Sequence, residues 1–265
     1  MMSISYVSIA LGLLLLAVPG CLVFLLDRTS IPRVLMAFAR MVVQLALLGL
    51  CVWGLYKFDS VWLNLLGLLL LSTVSSVVVV QRAHLRPGLM LLPVTAAHLL
   101  SVAVVGAWLL LIVLKPEHPL SAQSMVPVMG VLAAHIIPAG IRALSTFYES
   151  LRGQSQPYRV QVGNGVGHWR SLRPYLRQSL LAITGPMVSS LSVIGLFALP
   201  LLFSGQLLGG VPPLQAAAVV GVLTAGCIAA SLLFVLLALL FADRKVFDRR
   251  GNYTDVKWEI EKMRE

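Results

Sequence analysis

Residues 183–214 read ITGPMVSSLSVIGLFALPLLFSGQLLGGVPPL. The stretch is apolar enough to sit in a membrane. It nevertheless carries Pro186, Pro200, Pro212 and Pro213, glycines at 185, 195, 205, 209 and 210, and serines at 189, 190, 192 and 204. A simple lipid-facing anchor needs none of these. Broken or kinked backbone at membrane depth is tolerated only where protein or a water-filled cavity covers it. Interrupted helices of this kind mark the transport path in many transporters. The stretch therefore predicts an all-α integral membrane protein in which the other segments support and drive a kinked or interrupted sixth helix.

Composition agrees. Of 265 residues, 58% are hydrophobic and 11% charged, against about 25% charged in soluble domains. The net charge of +10 does not indicate a nucleic-acid partner, because the basic residues sit in a few connections and the tail between apolar runs. They read as topology determinants. Cys21, Cys51 and Cys227 lie inside apolar runs and form no disulfide framework. They read as buried small hydrophobes, with soft-metal ligation the sharper alternative. The N-terminal run has no basic leader and continues past Cys21, so it reads as a retained span rather than a signal peptide.

A span needs about 20 apolar residues. Seven segments qualify, at roughly 5–26, 34–56, 61–80, 88–114, 123–145, 178–204 and 213–242. Their connections alternate in charge. Arg28 and Arg33, then Arg82 and Arg86, then six arginines between 142 and 177, and finally the tail make one set rich in positive charge. The intervening connections hold only Lys57, only Lys115, and no basic residue at all. The positive-inside rule puts the N-terminus outside and the C-terminus in the cytoplasm.

Two soluble pieces stand out. The loop 146–176 breaks at Gly153 to Pro157, turns at Gly163, Gly165 and Gly167, and enters a short helix at Trp169 to Arg177 that Pro174 interrupts. Its length and charge suit either a docking surface for a cytoplasmic partner or a plain solvated loop. The tail 243–265 ends in TDVKWEIEKMRE, where Thr254 reads as an N-cap and Val256, Ile260 and Met263 as the apolar face of an amphipathic helix.

The missing chemistry is informative. No Gly-Lys pair occurs, so no phosphate-binding loop of the ATPase type is present. No Asp or Glu lies inside a predicted span. Ion-coupled carriers usually keep such a carboxylate for the coupling ion, and a divalent cation needs an oxygen-rich cage. No nucleophile and base pair up, so the chain does not read as an enzyme. Arg40 and Gln44 share one face of the second span. Arg40 is either an intramembrane functional charge or a snorkelling one, about 10 Å deep at 1.5 Å per residue. His98 and His135 are either ligands or hydrogen-bond partners between helices. Ser189, Ser190, Ser192 and Ser204 either line a pathway or pack as small residues. His84, His118 and His168 lie in loops and carry little signal.

The run Leu199, Pro200, Phe203, Ser204, Gly205, Gln206, Gly209, Gly210, Pro213 and Ala216 resembles the signature of the iron-export ABC transporter permeases (FetB type), a family that includes the plant aluminium-sensitivity transporter subunit. Ala39-Arg40 with Gln44-Leu45, Pro127 with Gly130, and Arg177 with Ser179 and Pro186 resemble further family pieces in the same order. The likeness covers about residues 28–240. It implies a permease paired with a cytoplasmic ATP-binding subunit that carries ATP and Mg, in a complex of two copies of each. It also implies that the loop around Gly163, Gly165, Gly167, Trp169, Arg170 and Arg173 couples to that ATPase. The departures are specific. Ser189, Ser190 and Ser192 stand where the family has an Asp-Ser pair and a Lys, Ala134-His135 where it has Gly-Asn, Val219-Val220 where it has Tyr-Gln, and Leu201 where it has Gly.

The expectation is thus the permease of an ATP-driven exporter in a bacterial cytoplasmic membrane, tied by resemblance to iron, with no cofactor or catalytic group of its own. The pathway candidates are Arg40, Gln44, His135, Ser189, Ser190, Ser204 and Gln206, and the hinge candidates Pro186, Gly195 and Pro200. A secondary carrier, an ABC permease for an amphipathic or sugar-nucleotide solute, and a non-transporting scaffold are the alternatives.

Overall fold

Backbone groups in lipid have no water to bond, so a chain this apolar must satisfy them within helices. The computed structural model describes residues 12, 14–26, 31–193, 200–248 and 253–257, and its regular elements are helical. A 3-10 turn at Leu14–Leu16 leads into α1 (Ala17–Leu26). There follow α2 (Ile31–Phe58), α3 (Val61–Arg82) and α4 (Pro87–Trp108), which a π-helical turn extends through Leu109–Leu114. Then come α5 (Ala122–Gly153), α6 (Ser155–Gly163), α7 (His168–Val193), α8 (Pro200–Leu208) and α9 (Pro213–Val246). Among the described residues, α2, α3, α4 with its extension, α5 and α9 are long and apolar enough to cross a membrane.

The element boundaries have local causes. Pro87 and Pro213 open α4 and α9, where the missing N–H costs nothing. Lys115 ends the π-helical turn in the left-handed region, at φ 43°. The Asp59 carboxylate, in the turn between α2 and α3, accepts the Ala122 N–H at 2.6 Å. It thereby caps the first turn of α5 from a distant part of the chain.

Helices α3, α4, α5 and α9 form the core, and α7 packs on α5. Apolar side chains gain little by leaving lipid for a bundle, so association depends on close contact. Three glycines supply it. Gly106 on α4 faces Met129 on α5. A Cβ on Gly140 of α5 would lie 2.6 Å from the Phe234 ring of α9, and one on Gly226 of α9 would lie 2.7 Å from Leu109 after α4. His98, fully buried, settles into the same core, with Nε2–H directed at the Ala133 carbonyl at 3.3 Å and its ring edge-on to Phe234. It joins helices, the plainer of the two readings. In contrast, α2 buries none of its residues.

Two local expectations fail. The first is the broken helix at Trp169 to Arg177: α7 runs unbroken through Pro174. Pro174 costs the helix one N–H to carbonyl rung, and α7 carries through it. The second is the start of the tail helix at Thr254. Residues 253–257 are extended, with Tyr253 bridged antiparallel to Phe247 and Lys257 to Leu85. Thr254 donates its backbone N–H to Val246 O rather than capping a helix. Val256 is buried, and its carbonyl accepts the Arg86 N–H at 2.8 Å. Ile260 and Met263 lie outside the described residues.

The reason is Lys257. It is 5% exposed, and its Nζ donates to Ala83 O at 3.0 Å, Ser145 Oγ at 3.4 Å and Glu149 Oε1 at 2.6 Å. A buried ammonium bonded three times outweighs the weak propensity of a short helix. Arg152 adds an ion pair to Asp255 at 3.1 Å. Burial, followed by the Asp255 carboxylate, pushes the Tyr253 phenol up to about 12. The tail is thus a clasp across the ends of α3, α5 and α9.

Candidate functional site

A cleft of about 220 Å³ opens between α5, α7 and α9. Helical periodicity builds each wall. Residues 135, 138, 139 and 142 make an i, i+3, i+4, i+7 stripe on α5. Residues 183, 186, 187, 190 and 191 make the matching stripe on α7, and 224 and 228 complete it from α9. The polar groups are His135, Arg142, Ser190 and Thr224, set among Ile183, Met187, Leu191 and Ile228.

Hydrogen bonding decides what these groups offer. The Ser190 hydroxyl donates to Pro186 O at 2.9 Å, and Thr224 donates to Val220 O at 2.8 Å. Both hydroxyl protons are spent on their own helices, which leaves only lone pairs facing outward. Donors therefore come from His135 and Arg142, both exposed on α5. Arg142 has no ion-pair partner among the described residues, and no carboxylate lines the cleft. Among the described residues, no three His, Cys, Asp or Glu side chains converge as a metal site would need.

The structure divides the sequence's candidates. His135, Ser190 and Pro186 meet in the cleft. Arg40 and Gln44 are exposed on α2 and do not line it. Ser189 and Ser192 are exposed, with hydroxyls turned to Gly185 O and Val188 O. Ser204 is exposed on α8, and Gln206 nearby holds a buried Oε1 without a partner. Pro200 begins α8, and Gly195 lies outside the described residues. Sequence reasoning missed Arg142 and Thr224. The sequence places Arg142 both at the end of the span 123–145 and among the six arginines of the connection that follows; in the structure it belongs to α5. Its signal was the seven-residue spacing from His135.

The exposed turn between α6 and α7 forms a second feature. Gly163, Gly165, Gly167, Trp169, Arg170 and Arg173 are all exposed there. Gly165 adopts φ +81°, which a side chain would strain. The turn is nonetheless held in place. His168 bonds Asp243 of α9 through Nε2 at 2.7 Å and Tyr158 of α6 through Nδ1 at 2.8 Å. Tyr175 OH donates to Gln154 O at 2.6 Å, and Ser179 Oγ to Ala143 O at 2.8 Å. His168, which carried little signal in the sequence, connects the turn to α9.

Fold and site together define a multi-pass helical membrane protein with a largely apolar cleft, set with four polar side chains, among its helices and an exposed, basic turn beyond them. The chain belongs to the uncharacterised protein family UPF0014, whose model matches residues 6–247. It is similar to the UPF0014 membrane protein slr1647 of Synechocystis, with 24% identity over 69% of this chain and 71% of the relative. It is also similar to the UPF0014 membrane protein STAR2 of Oryza sativa, with 24% identity over 69% of this chain and 63% of the relative. A third relative is Protein ALUMINUM SENSITIVE 3 of Arabidopsis thaliana, with 22% identity over 67% of this chain and 64% of that protein. No solved structure matches the chain.

Proposed function

We propose that this chain is the permease subunit of an ATP-driven ABC exporter, with seven spans, the N-terminus outside and the C-terminus in the cytoplasm of a bacterium. Two copies work with two cytoplasmic ATP-binding subunits, which hold the ATP and Mg. The observation that carries the reading is the cleft. It brings His135, Pro186 and Ser190 together between three helices, one of which, α7, begins at the exposed turn. ATP-driven closure of the partner subunits pushes on Gly163 to Arg173, α7 transmits the motion, and Pro186 lets the cleft wall move. His168 ties the same motion to α9 through Asp243.

A link to metal homeostasis enters through the iron-exporter resemblance and through the name of the Arabidopsis relative, ALUMINUM SENSITIVE 3. The cleft's donor set favours a physiological link over capture of a bare cation, because no carboxylate lines it. The test is co-expression with a neighbouring ATP-binding gene. Affinity purification of the intact permease should bring the ATPase down, and substitution of Gly163, Gly165 and Gly167 by bulky residues should release it. A permease that never retains an ATP-binding subunit overturns the reading.

A further inference from the structure

We infer that the α5–α7–α9 cleft binds an amphipathic anion, with the negatively charged headgroup on Arg142 and the apolar body against α7 and α9. The inference rests on the permease reading for its biological meaning and names the substrate class of that site. Its physical basis is independent of any ATPase.

Three observations converge. First, Arg142 enters the cleft with no ion-pair partner among the described residues, and the cleft has no carboxylate. A cation ligand would therefore meet repulsion, and an anion would meet a planar donor fork. Second, the hydroxyls of Ser190 and Thr224 have given their protons to backbone carbonyls, so neither can donate to an anion, and the cleft's donors are Arg142 and His135 alone. His135 lies two helical turns from Arg142 on the same stripe, about 10 Å along the axis. It is placed to bond a polar group further down the ligand. Third, the remaining walls are Ile183, Met187, Leu191 and Ile228. A free inorganic anion leaves that surface unused, and burying an alkyl or aryl body against it is favourable. Methionine adds adaptability, which suits ligands of varied shape.

One charged donor and a larger apolar wall thus share one small space. The same chemistry could come from a membrane lipid with an anionic headgroup or from a soluble amphiphile, and competition separates them. The probe is radiolabelled decyl phosphate, bound to the full-length permease in phosphatidylcholine nanodiscs and read by scintillation proximity. Saturable binding is expected. Arg142→Ala should weaken it at least tenfold, and Arg142→Lys less. Met187→Trp, which fills the cleft without touching the charge, should also weaken it severalfold. Circular dichroism melting of each variant checks that the bundle is folded. Decyltrimethylammonium and ferrous ion should not compete, and inorganic phosphate should compete poorly. Competition by phosphatidic acid introduced into the nanodisc would assign the lipid source. Its failure beside competition by soluble decyl sulfate would assign the soluble source.

Binding unchanged in folded Arg142→Ala and Met187→Trp overturns the inference. So does equal competition by decyltrimethylammonium, or by inorganic phosphate. The permease reading is judged separately by ATPase co-purification. Decyl phosphate binding without ATPase retention sustains the ligand class alone, and ATPase retention with no binding sustains the permease alone.

Discussion

Lys257 and Arg142 are both cations beside α5, and the fold treats them in opposite ways. Lys257 is 5% exposed and bonds Ala83, Ser145 and Glu149, whereas Arg142 is exposed in the cleft with no ion-pair partner among the described residues. A charge removed from water must be paired or it destabilises the fold. Lys257 meets that requirement within the chain and works as a structural bolt. Arg142 does not, so its pairing capacity is available to something else. The difference teaches how to separate a charge that holds a membrane bundle together from one that serves a ligand: by whether its partners are already present.

That contrast can be broken by four substitutions, taken in order of free energy. Lys257→Met removes three donors, leaves a buried carbonyl unpaired, and should cost about 2–3 kcal/mol. The expected fall in thermal midpoint is roughly 5 °C, with ligand binding retained below it. A midpoint equal to wild type would mean the clasp is ornamental. Gly140→Ala forces Phe234 aside and should cost about 2 kcal/mol by overpacking, read by the same melt. Relief by Phe234→Leu in the double variant would confirm the contact, and strict additivity would refute it. Arg142→Ala should reverse the pattern. Transport falls at least tenfold, equivalent to about 1.4 kcal/mol, while the melt stays within about 0.5 kcal/mol of wild type. A large drop in midpoint would make Arg142 structural and dissolve the comparison. Glu149→Gln is the smallest. Its side chain is 62% exposed, so solvent can replace it while the Ala83 and Ser145 bonds still hold the buried ammonium, and the cost should stay below about 1 kcal/mol. A loss as large as that of Lys257→Met would show that the ion pair, not the carbonyl, holds the tail.

The sequence made these two residues hard to tell apart for physical reasons. Hydropathy reveals spans because lipid leaves the backbone no partner but itself, and α2, α3, α4, α5 and α9 match predicted segments within a few residues at most boundaries. It does not reveal how far a helix continues beyond the apolar run. Thus α5 reaches Gly153, past the expected end at 145, and Arg142 sits in the overlap between span and connection. Tail residues fail differently. Val256 does carry the apolar character seen in the pattern, but its burial depends on Arg86, and that of Lys257 on Ala83, 174 residues away. No local spacing encodes such a partner. His135, Ser190 and Pro186 were legible because polar or kinking residues are anomalies in an apolar run. Arg40 and Gln44 satisfied the same criterion, yet their helix lies outside the core. An anomaly identifies a residue worth asking about, and only packing says whether several of them share a space.

Pro138 on α5 and Pro186 on α7 both line the cleft. Each lacks an N–H, so each deletes one rung of its own helix and releases the carbonyl four residues earlier. The two weakened points lie on facing walls, at the level where the ligand would rest. Two weakened ladders that face one another are what the cleft needs if its walls are to move together. Under the permease reading, the cleft is a jaw with one proline pivot in each half.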